Sequence, residues 1–303
     1  MHHYPAETSV FSPRFVQGLG QLASNYDVLL CDVWGVVHNG VAHFERAADA
    51  LIRFRNKGGS VVLITNAPRP KAKIINLLDR LAVPHEAYDG VASSGDVTVA
   101  MILERGDAPL AHIGPGYDES VYAEAERLAG RSVRRVAVDE ASYVVCTGLV
   151  DAQKEMPEDY RALLERLKHR KLDFICANPD IVVEVGETRF YCAGSLAELY
   201  ADIGGTVIQA GKPHLPIYER ALAVAAEARG EPIDRRRVLA IGDGLGTDIK
   251  GGANSAIDTL FVTAGIHRAQ LHEETGAIDV AALQRLFEAN AVWPNAILSE
   301  LVW

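Results

Sequence analysis

Two periods alternate along the first ninety or so residues. Val28 to Cys31 is a continuous apolar run that ends in Asp32 and is followed by Gly35 and an Asn39-Gly40 pair. A run of that kind, bounded by turn residues, predicts a strand buried on both faces, as in a parallel sheet. From Glu45 to Lys57 the period lengthens: Ala47, Leu51 and Phe54 share one helical face, and Gly58-Gly59 stops it. Ser60 to Thr65 predicts a second buried strand. Pro68 and Pro70 then open a helix whose face is Ile74, Leu77, Leu78 and Leu81. This rhythm predicts a doubly wound α/β fold. Ahead of it, Arg14 to Ala23 predicts a short helix.

From about Asp89 the pattern changes. Short strands (Leu110 to Ile113, Tyr143 to Thr147, Asp173 to Cys176) alternate with helices near Asp96 to Glu104, Glu119 to Leu128 and Glu158 to Lys168. Ile181 to Val185 and Thr188 to Cys192 predict a hairpin about Gly186. The first rhythm then resumes. Thr206 to Ala210 predicts a core strand, and a helix follows with Ile217, Ala221, Val224, Ala225 and Ala228 on one face. Arg237 to Ile241 and Asp258 to Thr263 predict two more buried strands. Helical stretches close the chain near Val280 to Ala289 and Asn295 to Leu301, with Trp293 and Trp303 expected on the core. The expected organisation is therefore an α/β core of residues 1–88 and 205–303, interrupted by an inserted α/β unit of residues 89–204.

Composition narrows the function. With 303 residues and 49% hydrophobic content, the chain is long enough for two domains. A net charge of −10, with no clustered Lys/Arg run, argues against nucleic acid as a partner. No stretch reaches membrane-spanning length, and residues 1–10 lack the basic and apolar regions of a signal peptide. Cys31, Cys146, Cys176 and Cys192 form no CxxC pair and lie in or beside apolar runs. They read as reduced core residues of a cytoplasmic protein, and the spacing disfavours a zinc site.

Four strand ends carry polar residues: Asp32, Thr65, Lys212 and the pair Asp243/Asp248. Parallel strands bring their C-terminal ends to one edge, so these residues can converge. Singly, each has a plainer explanation: a satisfied turn Asp, a strand-end Thr, a solvated Lys before Pro213. Gly242-Asp243-Gly244-Leu245-Gly246 resembles a dinucleotide loop, but Thr247 stands where its third Gly belongs. Jointly they suit phosphoryl chemistry. Asp32 and Asp243 can share Mg²⁺, Lys212 can neutralise phosphoryl oxygens, and Thr65 can donate to them.

In these motifs the chain resembles the haloacid dehalogenase-like hydrolases, class IIA, in an uncharacterised bacterial subgroup. The first motif of that superfamily, D-x-D-G-[TV], compares with Asp32-Val33-Trp34-Gly35-Val36. Thr65-Asn66, Gly211-Lys212-Pro213, and Gly242-Asp243 with Asp248 compare with the other three. Ala177-Asn178-Pro179-Asp180 and Ala193-Gly194-Ser195 resemble the class IIA cap. The resemblance implies a Rossmann-like core with an inserted C2-type cap. It also implies a Mg²⁺-dependent phosphatase acting on a small phosphorylated metabolite, with a homodimer left open. Asp32 is the implied nucleophile. Asp32, the Trp34 backbone carbonyl and Asp243 are the implied metal ligands. Thr65, Asn66 and Lys212 are the implied phosphate grip, and Asp248 orients Lys212 or a metal-bound water.

The departure is Trp34, which stands where phosphatases of this family carry a second Asp as general acid and base. Indole N–H only donates and has no accessible pKa, so it cannot move that proton. His38 is the nearest titratable side chain, though a turn-filling role explains it as well. Slow hydrolysis, a non-catalytic phosphoryl-ligand-binding protein, and a different reaction on the same core (dehalogenation or C–P cleavage) are the competing expectations.

Overall fold

The computed structural model describes residues 13–185, 188–273 and 275–303. The N-terminal residues read for a leader, and Gly186 at the expected hairpin tip, lie outside them. Among the described residues thirteen strands form. They are β1 (Arg14–Phe15), β2 (Val28–Asp32), β3 (Ser60–Thr65), β4 (Gly90–Ser93), β5 (Leu110–Ile113), β6 (Tyr143–Cys146), β7 (Asp173–Cys176), β8 (Val182–Val185), β9 (Thr188–Tyr191), β10 (Val207–Gln209), β11 (Val238–Gly242), β12 (Asp258–Val262) and β13 (Ala296–Leu298).

Seven of them make the core sheet, in the order β1-β13-β12-β11-β2-β3-β4, with every pairing parallel. Successive strand residues point to opposite faces, so each apolar run fills two cores at once. Leu29, Cys31, Val61 and Leu63 pack with Leu51, Phe54, Ile74 and Leu78 of the helices Glu45–Asn56 and Lys71–Arg80. Val28, Leu30, Val62 and Ile64 pack with Ile217, Tyr218 and Ala221 of the helix Leu215–Arg229. That two-sided burial is why these strands lack polar alternation.

The second sheet is β10-β7-β6-β5, also parallel, with the antiparallel hairpin β8-β9 beside it in sequence. The helix Ser94–Glu104 joins the two layers. Its Val97 packs in the core, while Val99 and Ile102 pack with Leu110 and Tyr122 of the insert. A capping box at Ser93 fixes where that helix starts.

Several expectations need correction. Gly90–Ser93 pairs with β3 in the core sheet, and Val207–Gln209 pairs with β7 in the insert's sheet, so the limits 89 and 204 are displaced at both crossings. A short apolar run does not encode which sheet receives it. Arg14–Phe15, at the sheet edge, and Ala296–Leu298, beside it, are paired strands rather than parts of helices. Trp303 packs on the core, whereas Trp293 is 43% exposed. Ala228 is exposed, so the buried stripe of its helix ends at Ala225.

Candidate active site

β2 and β11 are neighbours at the centre of the core sheet, where the strand order reverses. Open α/β sheets leave a crevice beyond the strand ends at that point. Asp32 closes β2 and Asp243 follows β11. Asp248 sits in the single π-helical turn Leu245–Ile249. All three carboxylates are buried, and ligand oxygens from each lie within 4.8 Å of one another.

Lys212 enters this group from the connection after β10. Its Nζ donates to Asp32 Oδ1 at 2.5 Å and to Asp248 Oδ1 at 2.7 Å. The other Asp248 oxygen accepts from the Gly244 N–H and the Thr247 hydroxyl. Asp243 Oδ2 accepts from the Ile266 N–H at 2.8 Å. Gly265 lies against that carboxylate: a Cβ there would stand 1.9 Å from Asp243 Oδ2.

The electrostatics follow from burial. Burial, then the Asp248 charge, pushes Asp32 well above the usual carboxylate range, against the pull of Lys212. The same two causes push Asp243 up to about 7. Burial opposes the charge on Lys212, but Asp248 and Asp32 outweigh it and hold its pKa well above the ordinary value. Three carboxylates against one ammonium leave surplus negative charge in a dry place. An all-oxygen donor set of that kind fits a hard divalent cation.

Thr65 ends β3, one strand over. Its Oγ1 accepts from the Ala67 N–H at 3.2 Å, which leaves the hydroxyl hydrogen free to donate. The Asn66 side chain, expected among the phosphate-binding residues, is engaged within the protein. Its amide accepts from the Lys212 N–H at 2.7 Å and donates to the Lys212 carbonyl at 3.2 Å and to Asp180 Oδ1 at 2.8 Å. Those bonds use the acceptor and both donors, so the side chain holds Lys212 and ties the core to the insert.

Residues 29–126 match a family described as haloacid dehalogenase-like hydrolase, and residues 209–286 match one described as HAD-hydrolase-like. A solved structure from Brucella suis 1330, described as a hydrolase of the haloacid dehalogenase-like family, is 44% identical. It superposes with a TM-score of 0.81, covering 95% of this chain and 100% of that one. The chain belongs to the haloacid dehalogenase-like hydrolase family. Among named proteins it is 23% identical to the 5'-nucleotidase YutF of Bacillus subtilis (strain 168), over 84% of this chain and 95% of that one. It is 26% identical to the acid sugar phosphatase of Staphylococcus saprophyticus, over 80% and 88%.

Within this family member, Trp34 is half-buried beside the carboxylates. The His38 ring meets it edge to face, with centroids 5.1 Å apart at 77°. His38 is fully buried, and its Nδ1 accepts from the Gly40 N–H at 3.0 Å. Burial lowers its pKa to about 4. A neutral imidazole locked in that way cannot supply a proton from a protonated state near neutral pH.

Two further links escaped the sequence reading. The Tyr218 hydroxyl donates to the Asp248 carbonyl at 3.1 Å, supporting the π-helical turn. Arg69, just past Thr65-Asn66, donates through Nε to Asp118 Oδ1 of the insert at 2.8 Å. Tyr218 falls on the apolar face of its helix, so position hinted at burial without hinting at a partner. Nothing local marked Arg69 and Asp118 as a pair, because 49 residues separate them. Between core and insert lies a cavity of 440 Å³ that reaches Trp34, Pro68 and Arg69. Asp32 and Lys212 are not in its wall; Trp34, two residues after Asp32 in the chain, is.

Proposed function

We propose that the chain is a Mg²⁺-dependent phosphatase of small phosphorylated metabolites, working through an aspartyl-phosphate on Asp32. The observation that carries this reading is the buried group of Asp32, Asp243, Asp248 and Lys212 at the strand-order reversal. The names of the curated relatives, a 5'-nucleotidase and an acid sugar phosphatase, point the same way.

Asp32, Asp243 and the Trp34 carbonyl would hold the cation. Bound there, Mg²⁺ supplies charge neutralisation for phosphoryl oxygens. The Asp32 carboxylate forms a bond to phosphorus as the bond to the leaving oxygen breaks. In the resting arrangement Lys212 holds Asp32 in place. With substrate present its ammonium can also face the phosphoryl oxygens, and Asp248 keeps it oriented. Thr65 offers its hydroxyl. Water then attacks phosphorus and releases phosphate and the free Asp32 carboxylate. At neither step does Trp34 deliver or remove a proton, so expulsion of the leaving group depends on the stability of that group's own anion.

Trp34 also favours a second reading, a phosphoryl-ligand-binding protein with little turnover. A phosphate-release screen over alkyl, aryl and acyl phosphates, with Mg²⁺ and with EDTA, separates the two. Mg²⁺-dependent release from at least one class is expected. No release from any class, alongside tight phosphate binding, would establish the second reading instead.

A further inference from the structure

We propose that Trp34 is a stacking platform, the core-side wall of a leaving-group pocket that selects flat aromatic leaving groups. The inference rests on the phosphatase reading and names the substrate class of that same site.

The first ground is how firmly the ring is held. The His38 ring packs against it in a T-shaped contact and is itself fixed by the Gly40 N–H. Gly40 has φ +86°, and a Cβ there would stand 2.4 Å from the indole Cη2, so the turn closes on the ring only because that residue is glycine. A plate that is already immobile loses little entropy when a ligand stacks on it.

The second ground is the cavity that Trp34 borders. At 440 Å³ it suits a small molecule. Tyr117, Phe190 and Tyr191 of the insert line it, facing the space that Trp34 bounds from the core.

The third ground is what the polar groups in the wall are already doing. Arg69 is paired with the buried Asp118 and lies over the Tyr117 ring at 5.2 Å. Asp151 is paired with Lys154, and Asn178 Oδ1 accepts from the Asp180 N–H. A polyol leaving group needs convergent free donors and acceptors, and a second anionic group needs an uncompensated cation. Gln153 adds one amide to the wall, and Tyr117, Phe190 and Tyr191 add aromatic surface. A phenolic or similar aromatic leaving group also departs as a stabilised anion, which suits a site whose Trp34 cannot protonate it.

The test separates stacking from leaving-group chemistry by using ligands that have no leaving group. Binding of phenylphosphonate and butylphosphonate, with inorganic phosphate as reference, is measured by calorimetry in Mg²⁺ on the full chain and on Trp34→Leu and Trp34→Phe. The wild type is expected to prefer phenylphosphonate by about tenfold. Trp34→Leu should lose that preference, read as the ratio of phenylphosphonate to butylphosphonate affinity within each protein, and Trp34→Phe should keep most of it. Phe190→Leu reads the opposite wall should Trp34→Leu fail to fold, and should also reduce the preference. Equal wild-type affinities, or a preference that survives both leucine variants, would overturn the platform while leaving the phosphatase reading standing. Failure of all three ligands, inorganic phosphate included, would overturn both.

Discussion

At the scale of single residues, Lys212 and Trp34 decide how this site differs from its surroundings and from its family. Lys212 is the cation bonded to Asp32 and Asp248, and all three are buried. Removing one partner of a buried ion pair typically costs about 3–5 kcal/mol. Lys212→Met should therefore lower the melting temperature in EDTA, and more so as pH rises, because carboxylates without a cation resist ionising. It should also abolish phosphate release. A variant with wild-type stability and turnover would show that Lys212 is a bystander. Trp34→Asp restores a group that can carry a proton. Acid–base assistance is typically worth roughly 10²–10⁴-fold. Alkyl-phosphate turnover should rise by at least about tenfold in single-turnover kinetics if Asp reaches the leaving oxygen. An unchanged rate would mean another group already supplies the proton. Asp32, Thr65, Lys212 and Asp243 were legible in the sequence because each stands at or just past the end of an apolar run, where a polar residue has a place at the strand's exit. Their partners were less so: Asn66 sits beside Thr65 in sequence, yet its bonds run to Lys212 and Asp180.

Secondary-structure elements place these residues, and here the sequence spoke less evenly. β2, β3, β11 and β12 were plain because they are buried on both faces and bounded by turns. Thr206 to Ala210 reads as a core strand but β10 pairs in the insert's sheet, and β4 carries no strand signal of its own, because strand pairing is a long-range choice. Asn295 to Leu301 was read as helix because Ala296, Ile297, Leu298 and Leu301 fit a helical stripe as well as a short strand. The turn after β12 carries its own prediction. Gly265→Ala puts a methyl against Asp243 Oδ2, so it should displace that carboxylate and weaken Mg²⁺ binding by about tenfold or more, read by titration calorimetry. Undiminished affinity would remove Asp243 from the metal site.

His112, on β5, tests the insert's stability. Burial first, and Arg135 second, lower its pKa to about 4 from an ordinary 6.5. Between those values the unfolded chain binds a proton that the native protein does not, so stability falls as pH drops through that window. His112→Asn should shrink the loss of melting temperature between pH 7.5 and pH 5. An identical loss in both proteins would mean His112 is protonated in the native state.

For the whole molecule, the question is how two layers make one active site. Asn66 to Asp180 and Arg69 to Asp118 join core and insert. The cavity lies between the two layers, with Trp34, Pro68 and Arg69 on the core side and Tyr117, Phe190 and Tyr191 on the insert side. The general architecture, an α/β core interrupted by an α/β insert, was legible from the change of rhythm near Asp89. The contacts between the layers were not, because the residues that make them are single polar side chains in loops. Everything in this arrangement serves one proposal, that Asp32 receives the phosphoryl group. The direct measurement is rapid-quench mass spectrometry after mixing the full chain with an aryl phosphate and Mg²⁺. The peptide carrying Asp32 should gain the mass of one phosphoryl group within a single turnover, and Asp32→Asn should gain none. Phosphate release with no phosphorylated Asp32 peptide, or undiminished release by Asp32→Asn, would contradict it.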